Sequence, residues 1–291
     1  MDVLVTPQGM ARREGDEIAL LDLPYRDVGQ LICDAGSVEP ARTAWVTGRL
    51  PVDGQLAGAL APLPAPGTVW GVGLNYRSKA RVTGRQIPRE PILYVCSASS
   101  VAGPGGQLSF PDGCTEQLDG EAEIAMVIGR RLYRADERDV WSAVAGITAG
   151  NDVTARDVMK QTGVPALAKS FPGCTPLGAS VQAVADIADL SSIGVRSWVN
   201  GELRQDDTSA DMLWSIPELL ARISWFAALE PGDVFLSGTP SGTGQDRGRY
   251  LWPGDEVTVE VDGVLPLRTT VVPAATAPAS RSVRAAAVPV S

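Results

Sequence analysis

The chain has 291 residues, of which 44% are hydrophobic and 20% are charged, so it can bury the core of one large domain or of two ordinary ones. Its formal charge of −9 disfavours nucleic acid or an anionic membrane surface as a partner, because both would repel an acidic protein. Histidine is absent, which excludes catalytic triads that need an imidazole and metal sites with histidine ligands.

The first 65 or so residues predict a small N-terminal α/β domain and a linker. The sequence EIALLDL is typical of a short strand, and YRDVGQLICDAG is typical of a short helix. The sequence PLPAPG follows, and its three prolines predict a linker that leads into the apolar sequence TVWGVGLNY.

Residues 66–272 predict a second, mainly β domain. Short apolar runs bounded by glycine, proline or aspartate, such as PILYV, EIAMVIG, GITAGNDV, SIGVRSWVNG and DVFLSGTP, are typical of strands. Helices are predicted only at residues 136–146 and 215–229, and the second has Ser215 as its N-cap. The sequence EVTVEVDGVLPLRTTV alternates with period two around a DG turn, which predicts a hairpin.

The chain ends at 273–291 in a tail without apolar periodicity, which we predict to be disordered. Its four cysteines lie far apart with no Cys-x-x-Cys pair, so neither a zinc site nor a disulfide framework is predicted. The start of the chain lacks the features of a secretory signal, and no stretch approaches about eighteen uninterrupted apolar residues. The sequence therefore predicts a soluble, cytoplasmic protein.

Acidic side chains precede the buried run in DGEAEIAMVI. On a strand, residues i and i+2 share a face, so Glu121 and Glu123 project together with Asp119 beside them. Two adjacent carboxylates at the start of a core strand repel one another unless a positive charge lies between them. Mg²⁺, Mn²⁺ and Ca²⁺ prefer such oxygens, so a metal site is one interpretation, and a solvent-facing strand edge with ordinary surface acids is the other.

Three further motifs carry polar groups. Asp152 follows an apolar run and offers a third carboxylate with Arg156 nearby, although an N-cap aspartate with a surface ion pair is an alternative. Lys169 would stabilise an oxyanion if it lay near a metal, whereas an isolated lysine is usually solvated. Thr239 lies in the glycine-rich loop LSGTPSGTG, which lacks a P-loop lysine but offers amides for a carboxylate or carbonyl.

In this order and spacing, several phrases resemble the fumarylacetoacetate hydrolase superfamily over about residues 69–272. They are VWGVGLNYRSKA, DGEAEIAMVIG, VAGITAGNDVTARD, AKSFPGCTPLG, VNGELRQDDTSADMLWSIPELLARIS and LEPGDVFLSGTPSGTG. The resemblance implies a mixed, mainly β fold, with a β-roll catalytic domain and a few short helices, usually as a homodimer. It also implies a catalytic Mg²⁺ or Mn²⁺, with Ca²⁺ as an alternative, on Glu121, Glu123 and Asp152.

The resemblance further assigns roles on the substrate side of the site. Lys169 and Thr239 fall where the family contacts substrate and are predicted to be catalytic, and Arg156 falls on a carboxylate-binding or second-layer arginine. Three more residues are assigned to substrate binding, namely Tyr76, Arg77 and Met159.

Several positions depart from the family pattern. Hydrolytic members carry a histidine, followed three residues later by a glutamate, and together these activate water; the corresponding residues here are Lys79 and Val82. A lysine common in the family falls near Cys96, and a frequent glutamine is Met159. Lys79 could act as a base only if burial and nearby charge lower its pKa, and the alternative is a solvated lid residue.

These features predict a metal-dependent enzyme that acts on an enolisable 2-oxo acid or β-dicarbonyl compound. A metal-stabilised enolate would lead to C–C cleavage by hydrolysis or decarboxylation, and decarboxylation needs no base for water. One alternative is an isomerase, dehydratase or cyclase that uses the same metal site in a biosynthetic pathway. Another is a non-catalytic relative that keeps the metal. We expect a small-molecule substrate, a homodimer, and neither nucleic acid nor a membrane as partner.

Overall fold

The computed structural model describes residues 1–52, 60–111 and 113–273. Most of the predicted tail therefore lies outside the described residues, and only Pro273 falls within them. Strands outnumber helices and the helices are short, so the predicted mainly β fold class is confirmed. None of the helices in the described ranges is long and apolar enough to cross a bilayer.

A ten-stranded sheet forms the centre of the molecule. Its strands, in spatial order, are β4 (Val46–Pro51), β3 (Glu17–Leu21), β2 (Gly9–Glu14), β1 (Asp2–Thr6), β14 (Ser180–Ala183), β11 (Val144–Asn151), β10 (Ala122–Ile128), β17 (Val234–Leu236), β5 (Val69–Gly73) and β6 (Ile92–Cys96). All neighbouring pairs are antiparallel except β17 and β5, which run parallel.

The remaining strands form one larger and two small sheets. The five-stranded sheet contains, in spatial order, β16 (Glu202–Thr208), β15 (Gly194–Val199), β18 (Glu256–Val261), β19 (Leu267–Val272) and β8 (Gln107–Ser109). The two-stranded sheets pair β12 (Thr154–Ala155) with β9 (Leu118–Asp119), and β13 (Thr175–Pro176) with β7 (Val101–Ala102).

The α-helices contain four to nine residues each. They are α1 (Val28–Ala35), α2 (Pro40–Thr43), α3 (Arg77–Thr83), α4 (Glu137–Ala143), α5 (Arg156–Thr162), α6 (Pro165–Ala168), α7 (Ile216–Ser224) and α8 (Gly244–Arg247). In the described parts of the chain, 3₁₀ turns lie at Ala98–Ser100, Val184–Asp186 and Ser209–Asp211. Ser215 caps α7 in a reciprocal capping box with Glu218, as the sequence of that segment predicts.

The core lies on both faces of the ten-stranded sheet. Side chains alternate along the fully buried strand β10, so Ile124 and Met126 pack towards the five-stranded sheet while Ala125 and Val127 face the other way. On that second face they join a cluster that includes the apolar side of α1. Burial on both faces explains why β10 reads as an uninterrupted apolar run.

The N-terminal segment is joined to the rest of the chain through the large sheet. Strand β1 pairs with β14, with Val3 opposite Val181, so the first four strands extend the same sheet that contains β10 and β11. The hydrogen bonds of this sheet therefore join residues on both sides of the domain boundary predicted near residue 65. The division into two domains stays a prediction. The predicted hairpin is present as β18 and β19, but residues 262–266 connect it instead of a two-residue turn.

Candidate metal centre and substrate cavity

The pairing of β10 with β11 brings three carboxylates together. Ala122 lies opposite Asn151, and the Asp152 N–H donates to the Glu121 carbonyl at 2.9 Å, so Asp152 sits beside the start of β10. Glu121, Glu123 and Asp152 each offer an oxygen, and these three oxygens lie within 4.8 Å of one another. All three residues are buried.

The ammonium of Lys169, the residue that follows α6, lies among these carboxylates. It donates to Glu121 Oε2 at 2.7 Å, to Asp152 Oδ2 at 2.5 Å and to Thr154 Oγ1 at 2.8 Å. Burial acts to lower the pKa of Lys169, but the charges of Asp152 and Glu121 outweigh burial and raise it. Lys169 is therefore a fixed positive charge that compensates part of the carboxylate cluster.

The carboxylates differ in how well they are compensated. Burial alone would raise the pKa of Glu121, but the positive charges of Arg156 and Lys169 hold it below its ordinary value. Burial raises the pKa of Glu123 well above its ordinary value, and the negative charge of Asp152 adds to that effect. Glu123 accepts a hydrogen bond from the backbone N–H of Gly238 at 2.7 Å, which stabilises only part of its charge.

Asp152 is the carboxylate with a buried oxygen that lacks any hydrogen-bond partner among the described residues. Its Oδ2 accepts from the hydroxyl of Tyr94 on β6 at 2.5 Å as well as from Lys169. Its Oδ1 is buried and has no hydrogen-bond partner within the described ranges. An unpartnered buried carboxylate oxygen is costly, and a cluster of three carboxylates is the kind of site that binds a hard divalent cation. The donor set thus suits a divalent metal.

Arg156, the first residue of α5, ties this cluster to the strand pair β9–β12. Its Nη2 donates to Glu121 Oε1 at 2.5 Å, and its Nε donates to Asp119 Oδ2 at 2.8 Å. Asp119 also accepts from the backbone N–H groups of Gly244 and Gln245 at the start of α8. Asp119 therefore orients Arg156, and α8 anchors Asp119.

Above the carboxylates lies a cavity of about 780 Å³. Among the residues predicted from sequence, its lining includes Lys79, Glu121, Glu123, Arg156, Met159, Lys169 and Thr239. Asp152, Tyr76 and Arg77 are not among the lining residues in the described structure. Tyr76 is fully buried in the core, and Arg77 donates to the carbonyl of Met212.

The structure adds residues that the sequence did not single out. Tyr94 lies under the cavity and holds Asp152, while Arg85, Lys160, Gln245 and Tyr250 line the cavity wall. Thr239 itself is held by Gln205, whose Nε2 donates to Thr239 Oγ1 at 2.8 Å. These residues come from several separate segments of the chain, so no single local motif indicates them.

Comparison with known proteins places this chain in a family. Residues 68–272 match the model of the fumarylacetoacetate (FAA) hydrolase C-terminal family. The chain belongs to the fumarylacetoacetate hydrolase superfamily, and the resemblance stated from the sequence is confirmed.

Similar proteins include enzymes of two kinds. The chain is 35% identical to the oxaloacetate tautomerase YisK of Bacillus subtilis, over 70% of this chain and 69% of that protein. It is 38% identical to a 4-hydroxyphenylacetate degradation bifunctional isomerase/decarboxylase of Escherichia coli, over 69% of this chain but only 46% of that protein. The fumarylacetoacetate hydrolase structure from Exiguobacterium antarcticum aligns over 94% of this chain and 99% of that one, with TM-score 0.81 and 27% identity.

Proposed function

We propose that this chain is a divalent-metal-dependent enzyme that interconverts the keto and enol forms of an anionic 2-oxo acid. One observation carries the proposal: the buried oxygens of Glu121, Glu123 and Asp152 converge next to a cavity that basic side chains line. In the described structure, Asp152 Oδ1 has no hydrogen-bond partner. These three residues would hold Mg²⁺ or Mn²⁺, with Ca²⁺ as an alternative. When bound, such an ion supplies Lewis acidity that stabilises negative charge on a substrate oxygen.

The charges in the cavity support an anionic substrate. Two carboxylates and five basic side chains line it in the described structure, although the whole chain carries a net charge of −9. Arg85 and Lys160 are exposed at the cavity and form no ion pair with any described residue. They would bind a second carboxylate at the end of the substrate remote from the carboxylate cluster. A 2-oxo dicarboxylic acid fits this distribution.

The remaining predicted residues would position the substrate. Lys169 and Arg156 would keep positive charge beside the reacting oxygens, because both are held by buried carboxylates. The hydroxyl of Thr239 donates to the carbonyl of Ala122 at 2.9 Å and accepts from Gln205, so it would orient substrate rather than attack it. Met159 would contribute apolar contact.

Tautomerisation is better supported than the C–C bond cleavage predicted from sequence. Hydrolysis needs a pair of groups that activates water, and Val82, at the position of the family's glutamate, is 57% exposed and cannot take a proton. The similarity to an oxaloacetate tautomerase favours proton transfer at carbon. Decarboxylation is the second candidate, because another relative is named a bifunctional isomerase/decarboxylase. Assembly as a homodimer remains a prediction.

The test uses the purified chain with Mn²⁺ and oxaloacetate. Enol decay is followed by ultraviolet absorbance, deuterium uptake at carbon 3 by mass spectrometry in D₂O, and decarboxylation by CO₂ release. We expect enol decay and deuterium uptake to be accelerated by Mn²⁺, abolished by chelation and restored by added metal. Release of CO₂ without accelerated enol decay would favour the second candidate instead.

Two variants complete the test. Asp152→Asn should abolish the metal-dependent rate, because it removes one of the three carboxylates. Glu137→Gln, at an exposed position on α4, should leave the rate unchanged. If the wild-type protein accelerates neither process with oxaloacetate or with longer 2-oxo dicarboxylic acids, the proposed function is wrong.

A further inference from the structure

Lys79 is a buried lysine in the wall of the cavity whose partners come from a distant part of the chain. Its Nζ lies 2.6 Å from Thr243 Oγ1 and 2.9 Å from each carboxylate oxygen of Asp246. The side chains of Lys79 and Asp246 are 7% and 4% exposed, so this ion pair is almost fully withdrawn from solvent. It is therefore not the solvated lid lysine that the sequence left open.

The carboxylate of Asp246 is held firmly on its other side. Its Oδ2 accepts from the backbone N–H groups of Gly242 at 2.8 Å and Thr243 at 3.2 Å, within the capping box that begins α8. The backbone of the glycine-rich loop thus fixes the carboxylate. The position of the Lys79 ammonium follows from that of the carboxylate.

Lys79 meets its two partners and the cavity at the same time. Its ammonium group has three donors, and its described partners are the Thr243 hydroxyl and one carboxylate, that of Asp246. When the two oxygens of Asp246 share one N–H, the third donor is available to a group in the cavity that Lys79 lines.

The charges around Lys79 come from three other segments. Burial lowers the pKa of Lys79 below its ordinary value, and the positive charge of Arg156 on α5 acts in the same direction. The carboxylates of Glu121, next to β10, and of Asp246, on α8, oppose this lowering. Arg85 lines the same cavity. Lys79 is thus a lysine that can exchange a proton more readily than a solvated one.

We propose that Lys79 is the residue that exchanges a proton with the substrate carbon, and that Asp246 is the positioning residue that holds it. This inference rests on the proposed function. Hydrolytic members of the family carry the acidic partner at the position of Val82, on the same helix as Lys79. In this chain, the acidic partner of Lys79 would come from α8 instead. Asp246 is 167 residues away from Lys79 in the sequence.

Every proton in the proposed step has a source and a destination. In the enol-to-keto direction, an N–H bond of the Lys79 ammonium breaks and a C–H bond forms at the substrate carbon. The enol hydroxyl proton passes to solvent, and the neutral amine takes up a proton from solvent. No electrons are exchanged, so the net reaction is an isomerisation.

The first experiment compares Lys79→Met with Arg81→Met in the Mn²⁺-loaded enzyme, with oxaloacetate as substrate. Arg81 lies on the same helix, and its side chain is 70% exposed. General acid–base catalysis contributes roughly 100- to 10,000-fold, so Lys79→Met should lower kcat by at least about 100-fold. Arg81→Met should leave kcat within about twofold. Full activity of Lys79→Met would overturn the proposal.

The second experiment separates positioning from a structural role. Asp246→Asn keeps the shape of the side chain but removes a charge that raises the pKa of Lys79. The high-pH limb of the kcat profile should therefore move to lower pH, with kcat about 10-fold lower and KM changed less than threefold. Asp246→Glu should restore part of kcat. A loss of thermal stability with an unchanged pH limb would mean that Asp246 is only structural, which would overturn its assignment.

A third measurement applies if Lys79→Met folds poorly. Lys79→Ala leaves space for a small amine, so added ethylamine should restore turnover in that variant and not in Asp152→Asn. Absence of rescue, with the metal still bound, would count against proton transfer by Lys79. These outcomes are distinct from failure of the proposed function, because that failure would be seen as an inactive wild-type enzyme.

Discussion

The ring of Tyr94 lies directly against Gly71, where any larger residue would collide with it. A Cβ built on Gly71 would lie 2.5 Å from Cε2 and Cζ of Tyr94 and 2.6 Å from its hydroxyl. That hydroxyl donates to Asp152 Oδ2. Because Gly71 on β5 has no side chain, the ring of Tyr94 can occupy the position from which it holds this carboxylate. A glycine in a strand thereby becomes part of the carboxylate site.

Gly71→Ala should therefore weaken both the fold and the metal site. Overpacking of a core costs roughly 1–3 kcal/mol, so we expect the free energy of unfolding to fall by about 2 kcal/mol. Displacing a hydrogen-bond partner of a metal ligand costs roughly 10- to 100-fold in affinity, and we expect a loss of this size for Mn²⁺. Chemical denaturation and titration calorimetry measure the two effects.

Gly73→Ala is the matched control, because Gly73 lies on the same strand and the same face. A Cβ there would meet Ile92 at 3.6 Å, an ordinary van der Waals contact. Its free energy of unfolding should stay level or rise by up to about 1 kcal/mol. Equal effects of the two substitutions would show that contact with Tyr94 is not the reason why position 71 requires glycine.

Glu123→Gln should affect the metal-free and metal-loaded proteins differently. Burial raises the pKa of Glu123, which means that the folded protein resists a negative charge there. A neutral glutamine of the same shape should thus leave the metal-free protein equally stable or more stable. Metal at about 100 times its dissociation constant stabilises a protein by about 2.7 kcal/mol, which corresponds to a rise in Tm of roughly 5–10 °C.

This rise should be present in the wild-type protein and absent in Glu123→Gln. Differential scanning fluorimetry with and without Mn²⁺ measures it, and Glu137→Gln on α4 should behave as wild type. An unchanged response of Glu123→Gln to Mn²⁺ would remove Glu123 from the set of ligands. A large loss of stability without metal would instead show that its charge is needed by the fold.

Local sequence patterns account for some parts of the molecule better than others. The period-two spacing of Glu121 and Glu123 is a local property, and so is the capping box at Ser215. The strand β1, in contrast, pairs with β14, and that long-range pairing leaves no trace in the sequence around residues 2–6. The N-terminal sheet extension could not be predicted for this reason.

The same distinction applies to the candidate site. The resemblance indicated which acids to consider, and the pairing of β10 with β11 explains how they meet. It did not indicate that Lys79 would pair with Asp246, since that contact depends on how α3 and α8 pack in three dimensions. It also indicated Tyr76 as a substrate-binding residue, and Tyr76 is fully buried and is not among the residues that line the cavity in the described structure. Side-chain direction after a turn is set by tertiary packing.

The four cysteines offer a test of how far the cavity extends on the side where the family carries a lysine. Cys33 and Cys114 are exposed, whereas Cys96 and Cys174 are buried. Burial raises the pKa of Cys96 far above its ordinary value and raises that of Cys174 to about 12, so neither thiol forms the reactive thiolate at neutral pH.

A disulfide reagent such as Ellman's should accordingly modify two thiols in the native protein and all four after denaturation. Mass spectrometry of the labelled peptides should identify Cys33 and Cys114, and Cys33→Ser should lower the native count to one. Fast labelling of Cys96 in the folded protein would mean that the cavity opens beyond Tyr94 to the end of β6. The cavity would then be larger than the volume of about 780 Å³ that the described structure shows.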